Sequence, residues 1–304
     1  ICIHGVFGGR MTDIAERCGA SVTKVEAPWG EPIDPKQLKE ALAKKKPKLV
    51  AIVHAETSTG VLQPMEEISA MVHDAGALLV VDAVTSYCGT DLKVDEWGID
   101  AIYSGTQKCL SAPPGLSPVS FSDRAVAALE NRKTKVQSWF LDLNLVMGYW
   151  GADAKRSYHH TAPVNSLYAL HESLVILKEE GMENAWQRHA LHHKAFAAGI
   201  EALGLSFVVK EEFRLPQLNA VQFPDSVDDG AVRSALLNDY NLEIGAGLGA
   251  LAGKVWRIGL MGHASSKSNV LLCLSALANV LAGMGQDTDF AAAVASANAV
   301  YSEA

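Results

Sequence analysis

An aspartate and a lysine, 26 residues apart, are the side chains whose types and spacing could do chemistry together in this sequence. Asp82 ends the apolar run LLVVD, and Lys108 follows the polar stretch SGTQ after the next apolar segment. Each has an ordinary interpretation, as a strand-end carboxylate bonded to a loop amide and as a solvated surface lysine. However, the small and apolar residues around Lys108 give its ammonium little structural reason to be there.

The pair predicts a particular cofactor. A desolvated lysine has a lowered pKa and becomes a nucleophile toward carbonyl groups. Its best-known use is a Schiff base with pyridoxal phosphate (PLP), which also needs a carboxylate to keep its ring nitrogen protonated. Asp82 suits that second role. We therefore predict a PLP site with Lys108 and Asp82 as its catalytic residues.

Alternating strands and helices must position these two side chains. KLVAIVH, ALLVVDA and DAIYSG have strand patterns, while PKQLKEALAKK and PMEEISAMVHDAG have helical ones. Strands that are apolar on both faces and separated by helices predict an α/β fold with a mostly parallel sheet covered by helices. Ligands of such sheets bind beyond the carboxyl ends of the strands. His54, Asp82 and residues 104–108 all follow such ends, so we expect them around one crevice.

The pattern changes near residue 165, where two long helical segments begin. Short strands and helices then follow, which predicts a compact α+β layer. We expect a large domain over residues 1–180 and a small C-terminal domain over residues 181–304. The alanine-rich tail from Asp289 has helical propensity without clear caps, so we expect it to be peripheral.

Composition excludes several classes of protein. The 304 residues carry a net charge of −8 and no basic block beyond KKKPK, which argues against nucleic acid as a partner. No apolar run reaches the roughly 18 residues of a membrane helix. Five scattered cysteines without a C-x-x-C pair are typical of reduced thiols in the cytoplasm. The histidine pairs at 159–160 and 192–193 have no third ligand at a suitable spacing, so we expect no metal.

A longer comparison of motifs suggests a family. The run VDAVTSYCGTDLKVDEWGIDAIYSGTQKCLSAPPGLSPVSFS resembles the PLP-binding core of the class V aminotransferases, and within them the alanine:glyoxylate and serine:pyruvate aminotransferases. Four more stretches agree in order, namely HAETSTGVLQP, RKTKVQSWFLDL, YHHTAPVNSLYALHESL and GLGALAGKVWRIGLMGH. The resemblance implies the type I fold of PLP-dependent transferases, with a small C-terminal α+β domain, in a homodimer.

The resemblance also implies roles for cofactor-binding residues. Lys108 would hold PLP as a Schiff base and shuttle the proton between the amino acid's α-carbon and C4′ of the cofactor. Asp82 would pair with the pyridinium, and Gln107 would donate to the phosphate. Thr57 would bond the phenolic oxygen of the ring. Phe7 stands where the family often has a tryptophan, and an aromatic face of either kind can stack on the ring.

Three more residues acquire roles in the same way. Arg257 in WRIGL would bind the α-carboxylate of the substrate with its planar guanidinium. Tyr158 and Thr161 would cross the dimer interface and donate to the PLP phosphate of the neighbouring subunit. In these enzymes a serine, glycine and histidine turn upstream of the stacking aromatic also binds the phosphate. Because the chain opens at Ile1 without methionine, we expect that turn in a preceding segment, where a targeting signal would make the location peroxisomal or mitochondrial.

The sequence thus predicts a PLP-dependent aminotransferase that moves the amino group of alanine or serine to glyoxylate. Other class V transaminases remain open as alternatives, among them ureidoglycine:glyoxylate and 3-hydroxykynurenine transaminases. From a different functional class, a truncated and catalytically silent PLP-fold subunit is a further alternative.

Overall fold

Helices separate single strands or groups of strands along the first half of the chain, so the alternation that the apolar pattern predicts is only approximate. The computed structural model describes residues 1–150 and 157–304. Within those residues, no helix is both long and apolar enough to cross a bilayer. The strands are β1 (Cys2–Ile3), β2 (Val25–Glu26), β3 (Leu49–Val53), β4 (Ala55–Glu56), β5 (Val61–Leu62), β6 (Leu78–Asp82), β7 (Ala101–Tyr103), β8 (Val119–Phe121), β9 (Ser206–Phe207), β10 (Leu218–Gln222), β11 (Gly245–Ala246) and β12 (Val255–Gly259). The helices are α1 (Val6–Arg17), α2 (Pro35–Lys44), α3 (Glu66–Asp74), α4 (Asp123–Glu130), α5 (Leu143–Trp150), α6 (Val164–Glu180), α7 (Met182–Ala202), α8 (Asp229–Tyr240), α9 (Lys267–Gly283) and α10 (Phe290–Glu303).

The central sheet has the strand order β3-β6-β7-β8. Strands β3, β6 and β7 run parallel, whereas β8 pairs antiparallel with β7. Strand β3 is buried on both faces after its first residue, which explains its continuous apolar sequence LVAIV. The register sets Asp82 beside Val53 on one side and beside Tyr103 on the other. The carboxyl ends of three strands therefore meet at one edge of the sheet.

Local sequence signals define the helices beside this sheet. Helix α2 begins where the Asp34 carboxylate accepts the N–H of Lys36 at 2.9 Å, with Pro35 as the first helical residue. Helix α3 ends just before Gly76, whose φ of +73° suits glycine. Strands and helices share a core of buried apolar side chains that includes Ile52, Ile68, Val72, Leu79 and Val81.

A second sheet forms the C-terminal layer. Its strands are antiparallel in the order β11-β12-β10-β9, and β10 pairs with β12 along its full length. Helices α7, α8 and α10 all pack against α9. The core between them is filled by large buried side chains, among them Phe196, Trp256, Leu274 and Leu277. This is the α+β layer that the sequence predicts.

The two largest apolar cores use different parts of the chain. One draws its buried residues from positions 2–99 and the other from positions 195–297. A small third cluster of Ala55, Leu215 and Leu218 joins the two layers. The domain boundary between residues 180 and 181 stays a prediction, which this separation of the cores supports.

The C-terminal segment corrects one expectation. Asp289 accepts the N–H of Ala292 at 2.8 Å and thereby caps α10. Helix α10 packs against α7 and α9 and buries Ala293 and Ala297 completely. Because alanine side chains are small, the helices can approach closely. The prediction of a peripheral tail was therefore wrong.

Candidate active site

A cavity of about 480 Å³ lies at the carboxyl ends of β3, β6 and β7, where Val53, Asp82 and Tyr103 line it. It brings together five of the predicted site residues. They are Phe7, Thr57, Asp82, Gln107 and Lys108. The crevice expected from the parallel strands is therefore present, and the lysine and the aspartate share it. His54, in contrast, is buried and does not line the cavity, and its ring contacts Trp97, so the expectation that it lies around the crevice was wrong.

The carboxylate of Asp82 is held in place by two donors. Its Oδ1 accepts the backbone N–H of Val84 at 2.9 Å, and its Oδ2 accepts the hydroxyl of Tyr103 at 2.8 Å. Burial raises the pKa of Asp82, while these hydrogen bonds oppose that rise. A cation placed against this carboxylate would favour its ionised form. Asp82 is thus a fixed acceptor in a poorly hydrated position.

Lys108 lies half-buried in the turn that follows β7. Burial lowers the pKa of its ammonium, and the nearby Arg257 guanidinium lowers it further. Among the described residues, Nζ of Lys108 forms no hydrogen bond or ion pair. The neutral amine, which is the nucleophilic form, is therefore more accessible at this position than it is for an exposed lysine.

The residues of the cavity fit PLP chemically. Asp82 offers a fixed carboxylate to a protonated ring nitrogen, and Lys108 offers an amine of lowered pKa to an aldehyde. Phe7 lines the same cavity with an aromatic face, and the Arg10 guanidinium lies 4.9 Å from the centroid of its ring. Gln107 is exposed in the cavity, so its amide is accessible to a phosphate.

Arg257 on β12 is anchored by two backbone carbonyls. Its Nε donates to Ala246 O at 2.8 Å, and its Nη1 donates to Thr57 O at 3.1 Å. Within residues 1–150 and 157–304, Nη2 has no protein acceptor. The guanidinium is therefore fixed beside the cavity residue Thr57 while part of its donor set stays available to a carboxylate.

Tyr158 and Thr161 lie outside this cavity. Both side chains are exposed, and their hydroxyls hydrogen-bond to each other at 2.7 Å. They precede α6, on the segment that the family resemblance assigns to a dimer interface. Their contact with a neighbouring subunit's phosphate stays a prediction.

Tyr103 and Arg10 are among the cavity residues that the sequence did not predict. Tyr103 is the register partner of Asp82 in the adjacent parallel strand, so aligning LLVVD with AIY could have found it. Arg10 lies on α1, and its charge lowers the pKa of Asp82 as a lesser influence than burial. Nothing in the sequence around Arg10 indicates that α1 points this residue toward the cavity.

The loop after β12 touches the turn that carries Lys108. The N–H of His263 donates to Ser111 Oγ at 3.0 Å, and the N–H of Ser111 donates to Lys108 O at 2.9 Å. Gly262 has a φ of +56°, and a Cβ at this position would overlap Ser111 Oγ. The C-terminal layer and the lysine turn are therefore in direct, close contact.

Helix α7 holds that loop from the other side. Arg188 Nη1 donates to the carbonyls of Gly262 and Ser265 at 2.7 and 2.9 Å. His189 Nε2 accepts the N–H of Gly262 at 2.9 Å, so its Nδ1 carries the proton and donates to Ala185 O. Burial lowers the pKa of His189 to about 4, which keeps the ring neutral. The loop is thus fixed by both residues.

Comparisons with known proteins agree with this geometry. The family model described as aminotransferase class V matches residues 10–270. A crystal structure of the ureidoglycine-glyoxylate aminotransferase from Bacillus subtilis is similar with a TM-score of 0.96 and 40% identity, over 99% of this chain and 78% of that one. A crystal structure of alanine–glyoxylate aminotransferase from Nostoc sp. is similar with a TM-score of 0.90 and 47% identity, over 92% of this chain and 74% of that one. The alanine–glyoxylate aminotransferase of Felis catus is 41% identical over 281 residues, which are 92% of this chain and 68% of the relative.

Proposed function

Because this chain belongs to the class V aminotransferases, which are PLP-dependent transaminases of the type I fold, we propose that it transfers the amino group of alanine or serine to glyoxylate. The products are glycine and either pyruvate or hydroxypyruvate. The observation that carries the proposal is that Lys108 and Asp82 line one cavity, next to an arginine anchored on Thr57.

The proposed roles are those that the family resemblance implies, and the chemistry of each side chain suits its role. When bound, PLP supplies a sink for the electrons left at the α-carbon of the amino acid after that carbon loses its proton. Lys108 would hold the cofactor through its aldehyde and, as the free amine, would take up the α-proton. Asp82 keeps the ring nitrogen protonated. Thr57 donates its hydroxyl to the phenolic oxygen, and Gln107 donates its amide to the phosphate.

Arg257 is the proposed binding residue for the substrate carboxylate. Its two bonds to backbone carbonyls orient the guanidinium plane and leave Nη2 available. Burial lowers the pKa of Arg257, because the guanidinium has lost part of its hydration. A substrate carboxylate that pairs with this cation would therefore form a stronger hydrogen bond than it would with a fully hydrated arginine. Amino acids and glyoxylate both carry such a carboxylate, and one arginine can therefore serve both half-reactions.

Glyoxylate as the acceptor is supported by the names of the relatives. The Bacillus and Nostoc enzymes have different amino donors in their names but share glyoxylate. The likeness to the Bacillus enzyme over 99% of this chain favours ureidoglycine as a second candidate donor. The two donors differ in the group attached to the α-carbon, and direct competition between them can distinguish these candidates.

A donor panel tests the proposal. The purified protein, loaded with PLP, is incubated with glyoxylate and in turn with alanine, serine and ureidoglycine, and glycine formation is measured. We expect alanine or serine to give the highest kcat/KM. Glycine formation from ureidoglycine alone would support the second candidate, and failure to use glyoxylate with every donor would contradict both. Bleaching of the visible absorbance by borohydride checks that PLP is attached to an amine.

The second part of the proposal concerns assembly. We infer a symmetric homodimer in which Tyr158 and Thr161 bind the PLP phosphate of the partner subunit. A phosphate dianion needs several donors, and a two-fold interface can supply some from each side.

An exposed apolar surface supports this assembly. Between residues 139 and 174, large apolar side chains are exposed around the Tyr158 segment, and a partner subunit would remove them from water. They are Trp139, Phe140, Leu141, Leu145, Met147, Val164, Leu167, Tyr168 and Leu174.

A further inference from the structure

Glu56 has no role in the chemistry described above, although it stands beside Thr57 in the motif HAETSTG. Its side chain is completely buried and forms no close ion pair among the described residues, although its charge and that of Arg257 lie near enough to interact. A buried carboxylate without a paired cation is costly unless hydrogen bonds satisfy it. The partners of Glu56 therefore indicate what it does.

Those partners are the first backbone N–H groups of α1. Oε2 of Glu56 accepts the N–H of Phe7 at 3.1 Å and that of Gly8 at 3.3 Å. Oε1 accepts the N–H of Ser58 at 3.0 Å and its hydroxyl at 2.6 Å. The same hydroxyl oxygen accepts the N–H of Val6 at 2.9 Å. Three successive N–H groups, which a helix start leaves without intrahelical partners, are thus bound by Glu56 and Ser58.

Both carboxylate oxygens are acceptors only. If the Glu56 carboxylate were protonated or replaced by an amide, one of its oxygens would become a hydrogen-bond donor. That donor would face the N–H or O–H groups that now donate to Glu56. The positive end of the α1 dipole also favours a negative charge here. Burial raises the pKa of Glu56, and the hydrogen bonds from Ser58, Gly8 and Phe7 oppose that rise. The arrangement suits the ionised form.

Gly5, immediately before α1, is required by this contact. A Cβ at Gly5 would overlap the side chains of Glu56 and Ser58, although its φ of 170° is accessible to any residue. Gly9, four residues later and within α1, has no atom within 4 Å of the position of such a Cβ. The two glycines therefore form a matched pair for testing the contact.

We propose that Glu56, together with Ser58, is a positioning residue that fixes Phe7 against the PLP ring. This rests on the proposed function, in which Phe7 and Thr57 contact that ring from two segments distant in sequence. One carboxylate links these segments, because Glu56 precedes Thr57 in the chain and binds the N–H of Phe7. Thr57 O in turn anchors Arg257. Glu56 thus fixes the relative positions of Phe7, Thr57 and Arg257.

The test compares Glu56→Gln, Ser58→Ala and Gly5→Ala with the control Gly9→Ala. The dissociation constant for PLP is measured by titrating each apoprotein, and the visible circular dichroism of the bound cofactor reports its orientation. We expect Glu56→Gln and Gly5→Ala to raise the dissociation constant about tenfold, the effect of losing a hydrogen bond to a charged group. Their visible dichroism should also weaken, because a misplaced ring no longer lies in one orientation. Ser58→Ala should act in the same direction, and Gly9→Ala should match the parent.

The outcomes separate this inference from the proposed function. If the parent protein fails to bind PLP, the proposed function is wrong. If the parent binds PLP and Glu56→Gln and Gly5→Ala keep its affinity and its dichroism, the positioning role is wrong. An equal loss in Gly9→Ala would also overturn it, because that loss would come from α1 in general. Should Glu56→Gln fail to fold, as judged by thermal unfolding of the apoprotein, Gly5→Ala and Ser58→Ala decide the question.

Discussion

Asp82 and Lys108 lie in a cavity whose burial disfavours the charge on each of them. The pKa of the carboxyl is raised and the pKa of the ammonium is lowered, with burial as the main cause in both cases. A cofactor with a cationic ring nitrogen and an aldehyde would remove the unfavourable effect of burial on both groups. It would give the Asp82 carboxylate a positively charged partner, and it would convert the Lys108 amine into an imine. Perturbed groups of this kind cluster at catalytic sites.

We expect Asp82→Asn to lower kcat by about a hundredfold or more, the scale of losing one positioned charge in the transition state. The neutral amide cannot keep the ring nitrogen protonated, whereas the unfolding midpoint should change little. Steady-state kinetics and thermal unfolding measure the two effects. Asp91→Asn, which removes an exposed carboxylate near Lys93, is the control. Normal turnover by Asp82→Asn would make Asp82 an ordinary strand-end residue.

Arg257→Lys should raise KM for both the amino donor and glyoxylate, because an ammonium cannot match a carboxylate with two parallel hydrogen bonds. The expected loss is about 2 to 3 kcal/mol in apparent transition-state binding, the range for a charged hydrogen bond. Separate KM values for the two substrates provide the measurement. An effect on one substrate alone would show that their carboxylates bind at different places.

The sequence identifies functional side chains at strand ends more readily than the residues that hold those side chains in place. Asp82 stands out because a charge ends an apolar run, and Lys108 stands out because it is a lone charge among small and apolar residues. Glu56 does not, because its donors Phe7 and Gly8 are backbone groups 49 and 48 residues earlier in the chain. In the sequence alone, Tyr103 is one more apolar residue of a predicted strand. Its role becomes visible only from the strand register, which places it beside Asp82.

At the scale of elements, apolar periodicity in the sequence predicts the central strands and the helices that cover them. It does not predict the packing of α10. The tail contains the signal, an aspartate three residues before the N–H that it accepts, but alanine repeats carry little amphipathic pattern. Its partners α7 and α9 lie far earlier in sequence, so its burial is a tertiary effect. The sequence of β8 is likewise typical of a strand, but it does not indicate that β8 runs antiparallel to β7.

Removing the cap of α10 should destabilise the C-terminal layer. Asp289→Ala loses the hydrogen bond to the N–H of Ala292, and the cost of such a change is typically about 1 kcal/mol. Urea unfolding measures it. Asp287→Ala, which removes the same charge from an exposed position two residues earlier, is the control. If both variants lost the same stability, charge and not capping would be the cause.

At the scale of the whole molecule, the proposed composite site predicts complementation between inactive chains. Lys108→Ala should be inactive because it lacks the amine, and a Tyr158→Phe, Thr161→Val double variant should bind PLP weakly. Each heterodimer would contain one site with all its residues intact. After complete exchange of equal amounts of subunits, half of the dimers are mixed, so about a quarter of the parental activity should return. Activity assays before and after exchange measure this.

Two results would contradict the composite site. The first is a mixture that stays inactive after subunit exchange has been confirmed by mass. The second is an active parent that sediments as a monomer. A Tyr168→Ser variant, which changes an exposed aromatic on the same surface without removing a proposed phosphate donor, provides a comparison for effects on assembly alone.

The contact between Gly262 and Ser111 limits how this chain can be recombined with its relatives. The two residues belong to segments on either side of the proposed boundary, and the space between them excludes even a methyl group. A chimera that takes residues 181–304 from another enzyme must therefore bring a glycine to position 262 and a loop of the same path. Crossovers that separate this loop from α7 would also lose Arg188 and His189, which hold it. Functional exchange of the C-terminal layer is thus expected only when α7, the loop and the layer move as one block.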